Sequence, residues 1–436
     1  MRDETTLREE IFQLIEKIFQ TRGDQIKTGG KDYLNYVGSF YDHKEIIALT
    51  NSVLDGWFGL GKKAEIFQKK IAEYSDVNYG LVTNSGSSAN LLTIAAFCSH
   101  ERKNRLKPGD EIITPAATFP TTLNPILQYN LVPVFLDVKL GNYNIETDNL
   151  SQSISDKTKG IMIPHVLGNP NEMDLIMEIA EERNLFVIED CCDALGTTYK
   201  GKKVGSFGDF GTLSLYPAHH ITMGEGGVIL TNNRQLMLTS QSLRDWGRAC
   251  FCKFNESNLN GACNKRFDYE LNGIKIDHRY MYSNIGYNLK PLEFQCAMAL
   301  EQLNKLPKFI ELRKRNFKIL YEELQNLDTK IILPEETKHS DVSWFAFPIT
   351  IRENTNIKRN RLQKFLEKNK IQSRVLFAGN ILNHPPYKEI TYRKNGDLKN
   401  TEIVFKNTFF VGVYPALTEE NMVYIASKIK EYFKSN

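Results

Sequence analysis

Between residues 60 and 305, short apolar runs alternate with segments of helical period, and this alternation constrains the fold more than any other feature. The runs are GLVTNS (80–85), EIITPAA (111–117), VPVFLDV (132–138), GIMIPHV (160–166), LFVIED (185–190), GTLSLYP (211–217) and GVILTN (227–232). Helix-period stretches separate most of them. Residues 170–184, for instance, repeat Met173, Leu175, Ile176, Ile179 and Ala180 at helical spacing. Continuous apolar strands between such helices fit a mainly parallel sheet covered on both faces, so the chain is predicted to be α/β.

A long helix is expected around 292–326, interrupted near Pro307. It leads into a smaller α+β unit with a strand at 344–351 and helices at 358–369 and 418–434. The chain divides into an N-terminal helical segment (1–59) packing on both domains, a large domain (60–305) and a small C-terminal domain (306–436). Residues 245–285 are rich in Cys, Asn, Gly, Arg and Tyr and have little periodicity; they read as an inserted functional loop.

Bulk properties remove several functions. A net charge of +3 with no Lys/Arg block argues against nucleic acid as a partner. The first thirty residues read as an amphipathic helix with Leu7, Ile11, Leu14, Ile15 and Ile18 on one side, unlike a signal peptide. No stretch of eighteen apolar residues occurs, so no membrane span is expected and the cytoplasm is the default location. Seven cysteines, at 98, 191, 192, 250, 252, 263 and 296, form an odd set in a long chain, a poor match to a disulfide framework.

Three segments carry chemistry. In TNSGSSANLL (83–92) an apolar strand ends in small residues, and a helix follows with Ser87 and Ser88 in its first turn. Open backbone N–H groups there suit a phosphate, or the segment is an ordinary serine cap. In VIEDCCDALG (187–196) acidic residues end a buried strand, at the edge where α/β sheets bind ligands. A carboxylate there suits the protonated nitrogen of a pyridine cofactor, or caps the following helix. The third segment, SLYPAHHITMGEGG (214–227), combines Ser214, Pro217 and a Gly-Glu-Gly-Gly ending with adjacent His219 and His220.

This third segment resembles the cofactor-lysine motif of the DegT/DnrJ/EryC1/StrS sugar aminotransferase family. Ser214 and Pro217 take the family's Ser and Pro, and His219 takes the position of the lysine that tethers the coenzyme. Other family motifs occur in order along nearly the whole chain. TNSGSSANLL resembles the phosphate turn, and TPAATFPTT (114–122) the segment whose aromatic, here Phe119, lies against the cofactor ring. HVLGNP (165–170) resembles the family's His-x-x-Gly-Gln-Pro and brings His165 toward the ring or substrate. Asp190 matches the ring-nitrogen partner, and Asp193 a residue near the ring hydroxyl. IGYNLK (285–290) resembles a segment whose asparagine, here Asn288, reaches the phosphate of the neighbouring subunit; its last position is Lys290 instead of the usual Arg.

The resemblance implies the PLP-dependent transferase fold of type I, aspartate aminotransferase-like, and at least a homodimer. Histidine cannot form the imine tether, but its imidazole moves a proton near neutral pH. A small branch of the family carries this histidine and removes the C3 hydroxyl of nucleotide-linked 4-keto sugars, using pyridoxamine 5'-phosphate (PMP). Part of that branch holds a 2Fe–2S cluster on one Cys, then fifty-seven residues, then Cys-x-Cys and a last Cys. Cys192, Cys250 and Cys252 match that spacing, and Cys263 comes after ten residues, a longer gap. Lengthening a loop costs little. Zinc is the alternative occupant for four cysteines.

Resemblance to this branch implies C3 dehydration of CDP-4-dehydro-6-deoxy-D-glucose in 3,6-dideoxyhexose synthesis for the lipopolysaccharide O-antigen, with electrons from an NAD(P)H-dependent flavin/iron-sulfur reductase. GDP-sugar and TDP-sugar 3-dehydration and PLP-dependent transamination are the competing activities. The family register favours His219 over His220 as the base.

Overall fold

The computed structural model describes residues 3–22, 27–252 and 264–435. Helices α1 (Glu4–Arg22), α2 (His43–Leu54) and α3 (Lys62–Tyr74) precede the large sheet. The seven strands of its core are β1 (Tyr79–Thr83), β2 (Glu111–Pro115), β3 (Val132–Leu136), β4 (Thr158–Pro164), β5 (Phe186–Asp190), β6 (Phe210–Ser214) and β7 (Gly227–Thr231). Each of the seven predicted apolar runs overlaps one of them. Helices α4 (Gly86–Cys98), α5 (Pro120–Gln128), α6 (Met173–Arg183) and α7 (Arg234–Arg244) lie between or after them.

The strand order is β3-β2-β4-β5-β6-β7-β1, with a two-residue strand, Arg393–Lys394, added in parallel beside β3. From β3 to β6 the pairings are parallel, while β7 runs antiparallel to both of its neighbours. The expected mainly parallel sheet is therefore present. Alternate side chains leave a strand on opposite faces, which is why the apolar runs are continuous. Ile112, Met162, Ile188 and Phe210 pack with Ala89, Leu92, Leu123 and Ile126 from α4 and α5. Ile113, Ile161, Ile163 and Val187 face the other way, toward Met173 and Ile176 of α6.

Helix α8 (Glu293–Leu324) passes through Pro307 without the expected interruption. Leu303, Leu306 and Phe309 are buried on both sides of the proline, and this packing offsets the backbone hydrogen bond that proline cannot make. Beyond α8 stands an antiparallel sheet of β8 (Ile331–Ile332), β9 (Ala346–Ile351), β10 (Ser373–Val375) and β11 (Thr408–Gly412), in the order β8-β9-β11-β10. Helices α9 (Arg359–Lys368), α10 (Lys399–Asn407) and α11 (Glu419–Ser435) accompany it. Its core joins Phe317, Leu320 and Leu324 of α8 to Phe347, Ile349, Phe409, Val411, Ile425 and Ile429.

Two expectations need correction. Of the N-terminal segment, α2 packs on α8 and Leu34 enters the core of the antiparallel sheet, but Leu7, Ile11, Leu14 and Ile18 of α1 are exposed and α1 has no buried residue. Its polar ties run from Arg8 to Asn51 and Asp55 at the end of α2. Within the insert, Tyr269–Leu271 pairs with Ile274–Ile276 as a hairpin, not a loop. Its turn is Asn272-Gly273, both with positive φ (52° and 82°), the conformation that Asn-Gly hairpin turns require.

Candidate active site

The carboxyl ends of β4, β5 and β6 meet the N-terminus of α4 around a cavity of about 420 Å³. Pro164, His165, Asp190, Cys192, Asp193, Ser214, Tyr216, Ala218 and His219 line it from the large sheet, Gly86 and Ser87 from α4, and Phe119 from the start of α5. Tyr36, Phe345, Arg374, Val375, Phe377 and Phe410 close the opposite side. A larger hollow of about 1090 Å³ lies between α1 and residues 414–418. The smaller cavity holds the convergent acids and imidazole at a sheet edge, the arrangement that marks a reaction site.

Asp190 sits at the floor, 6% exposed. Its Oδ2 accepts from Asn90 Nδ2 and Thr122 Oγ1, both at 2.7 Å, and its Oδ1 accepts the backbone N–H of Cys192 at 3.2 Å. Thr212 Oγ1 in turn donates to Asn90 Oδ1 at 2.6 Å. Three donors from α4, α5 and the turn after β5 therefore fix the carboxylate's orientation. Asn90 is fully buried one turn along α4 from Gly86, and sequence reasoning missed it. A lone asparagine in an apolar helix run was the available signal.

The imidazole of His219 lies in the loop after β6, with Nδ1 3.3 Å from Asp193 Oδ1. That separation is an ion-pair distance, but the groups are not aligned as a hydrogen bond, and His219 Nδ1 and Asp193 Oδ2 are both buried polar atoms without a partner. Phe345 packs at 5.5 Å from the imidazole. The fully buried Arg313 donates to the carbonyl oxygens of Phe345 at 2.9 Å and of His219 at 3.3 Å, holding the loop from behind. Burial pushes its guanidinium down to about 10.

His220 points elsewhere. It is 3% exposed, its Nε2 donates to the carbonyl of Ser343 at 2.8 Å, and burial pushes its imidazole well below the ordinary histidine range. It does not line the cavity.

His165 is placed differently from a ring-contacting polar group. Its Nδ1 accepts the backbone N–H of Asn171 at 3.1 Å, which leaves Nε2 to donate to Glu189 Oε2 at 3.0 Å. With both nitrogens occupied, only the ring surface is left for the cavity. Glu189, fully buried beside Asp190, also accepts the N–H groups of Gly205, Phe207 and Gly208, and so serves the framework.

At the head of α4 the cap is Ser85, not a later serine. Its hydroxyl oxygen accepts the N–H of Ser88 at 3.0 Å, and its O–H bonds to Ser88 Oγ at 2.9 Å. Ser88 is thus engaged inside the cap, whereas Ser87 lines the cavity. Gly86 has to be glycine: a Cβ would stand 2.6 Å from Ser214 Cβ and 3.0 Å from Cys192 Sγ. The N–H groups of Gly86 and Ser87 lie at the positive end of the helix dipole, where an anion is favoured. Phe119 is half exposed, with its ring 6.2 Å from Phe377. Asn288 lies outside this cavity; it accepts from Lys290 Nζ and pairs through its backbone with Asp245.

These residues fit PMP. The oriented Asp190 suits a protonated ring nitrogen, the head of α4 suits the phosphate, and the two orphaned polar atoms suit the polar ring substituents. No lysine lines the cavity among the described residues. The lysines nearest in sequence, Lys202 and Lys203, instead lie over the rings of Phe207 and Tyr74.

Of the cysteines, Cys192 opens on the cavity, and burial together with the charge of Asp190 pushes its thiol well up. Cys250 and Cys252 are adjacent: the N–H of Cys252 reaches Cys250 Sγ at 3.5 Å. Cys263 lies outside the described residues. Cys192, Cys250 and Cys252 do not share one group with all sulfurs within 4.8 Å. A two-iron centre takes its thiolates as two pairs, and Cys250 with Cys252 fits one of them. Burial pushes up the thiols of Cys98, Cys191 and Cys296.

The sheet order, with one reversed strand, and a cavity at the carboxyl edge define the fold of the pyridoxal-phosphate-dependent transferases of the aspartate aminotransferase type. Residues 41–430 match the DegT/DnrJ/EryC1/StrS aminotransferase family, and the chain belongs to it. It is 44% identical over 434 residues to the lipopolysaccharide biosynthesis protein RfbH of Salmonella typhimurium, covering 99% of both chains. It is also 44% identical to the dTDP-4-dehydro-2,6-dideoxy-D-glucose 3-dehydratase of Saccharopolyspora spinosa, covering 91% of this chain and 85% of that one. A crystal structure of GDP-4-keto-6-deoxymannose-3-dehydratase (ColD), a histidine-to-asparagine mutant with bound GDP-perosamine, superposes with a TM-score of 0.82. Its identity is 30%, and the match covers 91% of this chain and all of the other.

Proposed function

We propose that the chain is a nucleotide-sugar 3-dehydratase that uses PMP and removes the C3 hydroxyl of CDP-4-dehydro-6-deoxy-D-glucose. The observation that carries this reading is His219 in the family's lysine position, facing a cavity that no lysine lines among the described residues. Two relatives named as 3-dehydratases, 44% and 35% identical, support the reaction class.

Bound PMP supplies an amine for the sugar's C4 ketone and a pyridine ring that accepts electrons. With PMP bound, His219 would be the base that takes up the proton given up as the C3 hydroxyl leaves. Asp193 steadies the imidazole, and as a carboxylate it offsets the charge that His219 acquires. Asp190 would keep the ring nitrogen protonated, Gly86 and Ser87, with Ser214 beside them, would receive the phosphate, and Phe119 would cover the ring. Asn288, outside its own cavity, serves the phosphate of a second copy in a homodimer.

Elimination leaves a product that needs two electrons. Cys192, Cys250, Cys252 and Cys263 would hold a 2Fe–2S cluster, which passes electrons singly, and an NAD(P)H-dependent flavin reductase would be its donor. The matching cysteine spacing and the Cys250–Cys252 pair support that assignment. Resemblance to RfbH, named a lipopolysaccharide biosynthesis protein, supports a place in lipopolysaccharide synthesis; the O-antigen and the cytoplasm complete this reading. The dTDP-sugar relative favours a second reading in which the same chemistry acts on a dTDP-sugar.

The test supplies the CDP-, dTDP- and GDP-linked 4-keto-6-deoxy sugars separately, with PMP and an NADH-fed flavin/iron-sulfur reductase as electron donor, and tracks loss of the C3 oxygen by mass spectrometry. Turnover of the CDP-sugar well above the others supports the proposal. Transfer of an amino group to the sugar with no loss of water would overturn it.

A further inference from the structure

The cavity of about 420 Å³ is lined by two carboxylates, Asp190 and Asp193, and by one side chain that is always cationic, Arg374. Arg374 lies on the edge strand β10, with its side chain 45% exposed. Its Nη1 donates to the carbonyl of Ser373 at 2.8 Å, and its guanidinium lies 4.6 Å above the ring of Tyr36, which also lines the cavity. The guanidinium is therefore braced at the rim by a stacked ring and a carbonyl. The Glu367 carboxylate pairs with the same Nη1 at 4.0 Å, so both of these protein contacts fall on one nitrogen of the guanidinium.

The chain just beyond is strained toward the same rim. Phe377 has φ of +47°, a region that costs a bulky residue energy, and its ring meets Phe119 edge-on at 6.2 Å. Tyr216 and Phe119 add two more half-exposed rings at this mouth. A planar fork of donors beside exposed aromatic rings matches a diphosphate joined to a nucleobase.

Resting on the proposed function, we infer that Arg374 grips the diphosphate of the nucleotide sugar and so sets how tightly the substrate is held. The sugar lies inward, toward His219, and the base lies outside the rim beside Tyr216 and Phe377. Arg374 then acts on binding and leaves the proton transfer to His219.

The experiment titrates the PMP-loaded protein with CDP, CMP, cytidine and glutamate by calorimetry, for wild type, Arg374→Lys and Arg374→Gln. CDP should bind tighter than CMP, and both tighter than cytidine. Arg374→Gln should weaken CDP about 10- to 100-fold, with Arg374→Lys between, and leave cytidine within about twofold. Unchanged CDP affinity in a folded Arg374→Gln protein overturns the inference. So does glutamate binding that disappears with Arg374, which would make the guanidinium a carboxylate site. The wild type is titrated with dTDP and GDP as well, and failure of all three nucleoside diphosphates to bind it would instead sink the proposed function.

Discussion

His219 Nδ1 stands 3.3 Å from Asp193 Oδ1, and the second oxygen of that carboxylate is buried without a hydrogen-bond partner. A buried acceptor left open is costly, so the pair is arranged for something that arrives later. Asp193→Asn keeps the shape and removes the charge that opposes a protonated His219. It should lower kcat about 100-fold while changing KM for the sugar nucleotide less than about threefold. Steady-state kinetics on the purified variant check both numbers.

Lysine is absent from the cavity lining among the described residues, and the proposed function has the coenzyme held by contacts alone. Borohydride treatment of the protein loaded with pyridoxal phosphate should leave no covalent adduct on the chain, and dialysis should remove the coenzyme. Mass spectrometry of the intact protein reads the result; a stable adduct on any lysine would restore the aminotransferase reading.

Acid should loosen the outer edge of the large sheet. The Arg393 guanidinium bonds both oxygens of Glu111 and holds that carboxyl down at about 2. A depressed carboxyl stabilises the fold above its unfolded value of about 4.5, and the contribution disappears as pH falls from there toward about 2. Glu111→Gln should therefore lower stability at pH 7 and flatten its loss across that window, as urea midpoints at successive pH values would record.

The sheet was legible because each of its strands is apolar on both faces, and a continuous apolar run between turn residues is what that burial produces. Asp190, His219 and Phe119 were legible because they sit in contiguous motifs. The other side of the cavity was not. Tyr36, Phe345, Arg374, Phe377 and Phe410 come from distant segments, and only the antiparallel sheet brings them to the rim. Asn90 was hidden because a polar residue in an apolar helix declares its burial but not its partner. The helix through Pro307 was misread since local backbone cost was weighed without the packing of Leu303, Leu306 and Phe309. The hairpin at Asn272-Gly273 was readable in ELNGIKI, but the surrounding polar composition masked it.

Iron content separates the electron relay from the elimination. Protein purified without oxygen should carry about two irons and two sulfides per chain, with visible absorption that Cys250→Ser and Cys252→Ser each abolish. Stoichiometric zinc in place of iron would end the relay while leaving the role of His219 standing.

The most direct test of the central claim is His219→Asn, which keeps a polar side chain and loses the base. With PMP and the CDP-linked 4-keto-6-deoxy sugar, the rate of C3 hydroxyl loss should fall at least about 100-fold, while PMP affinity stays within about threefold of wild type. Dehydration at the wild-type rate would contradict the assignment of His219 as the base.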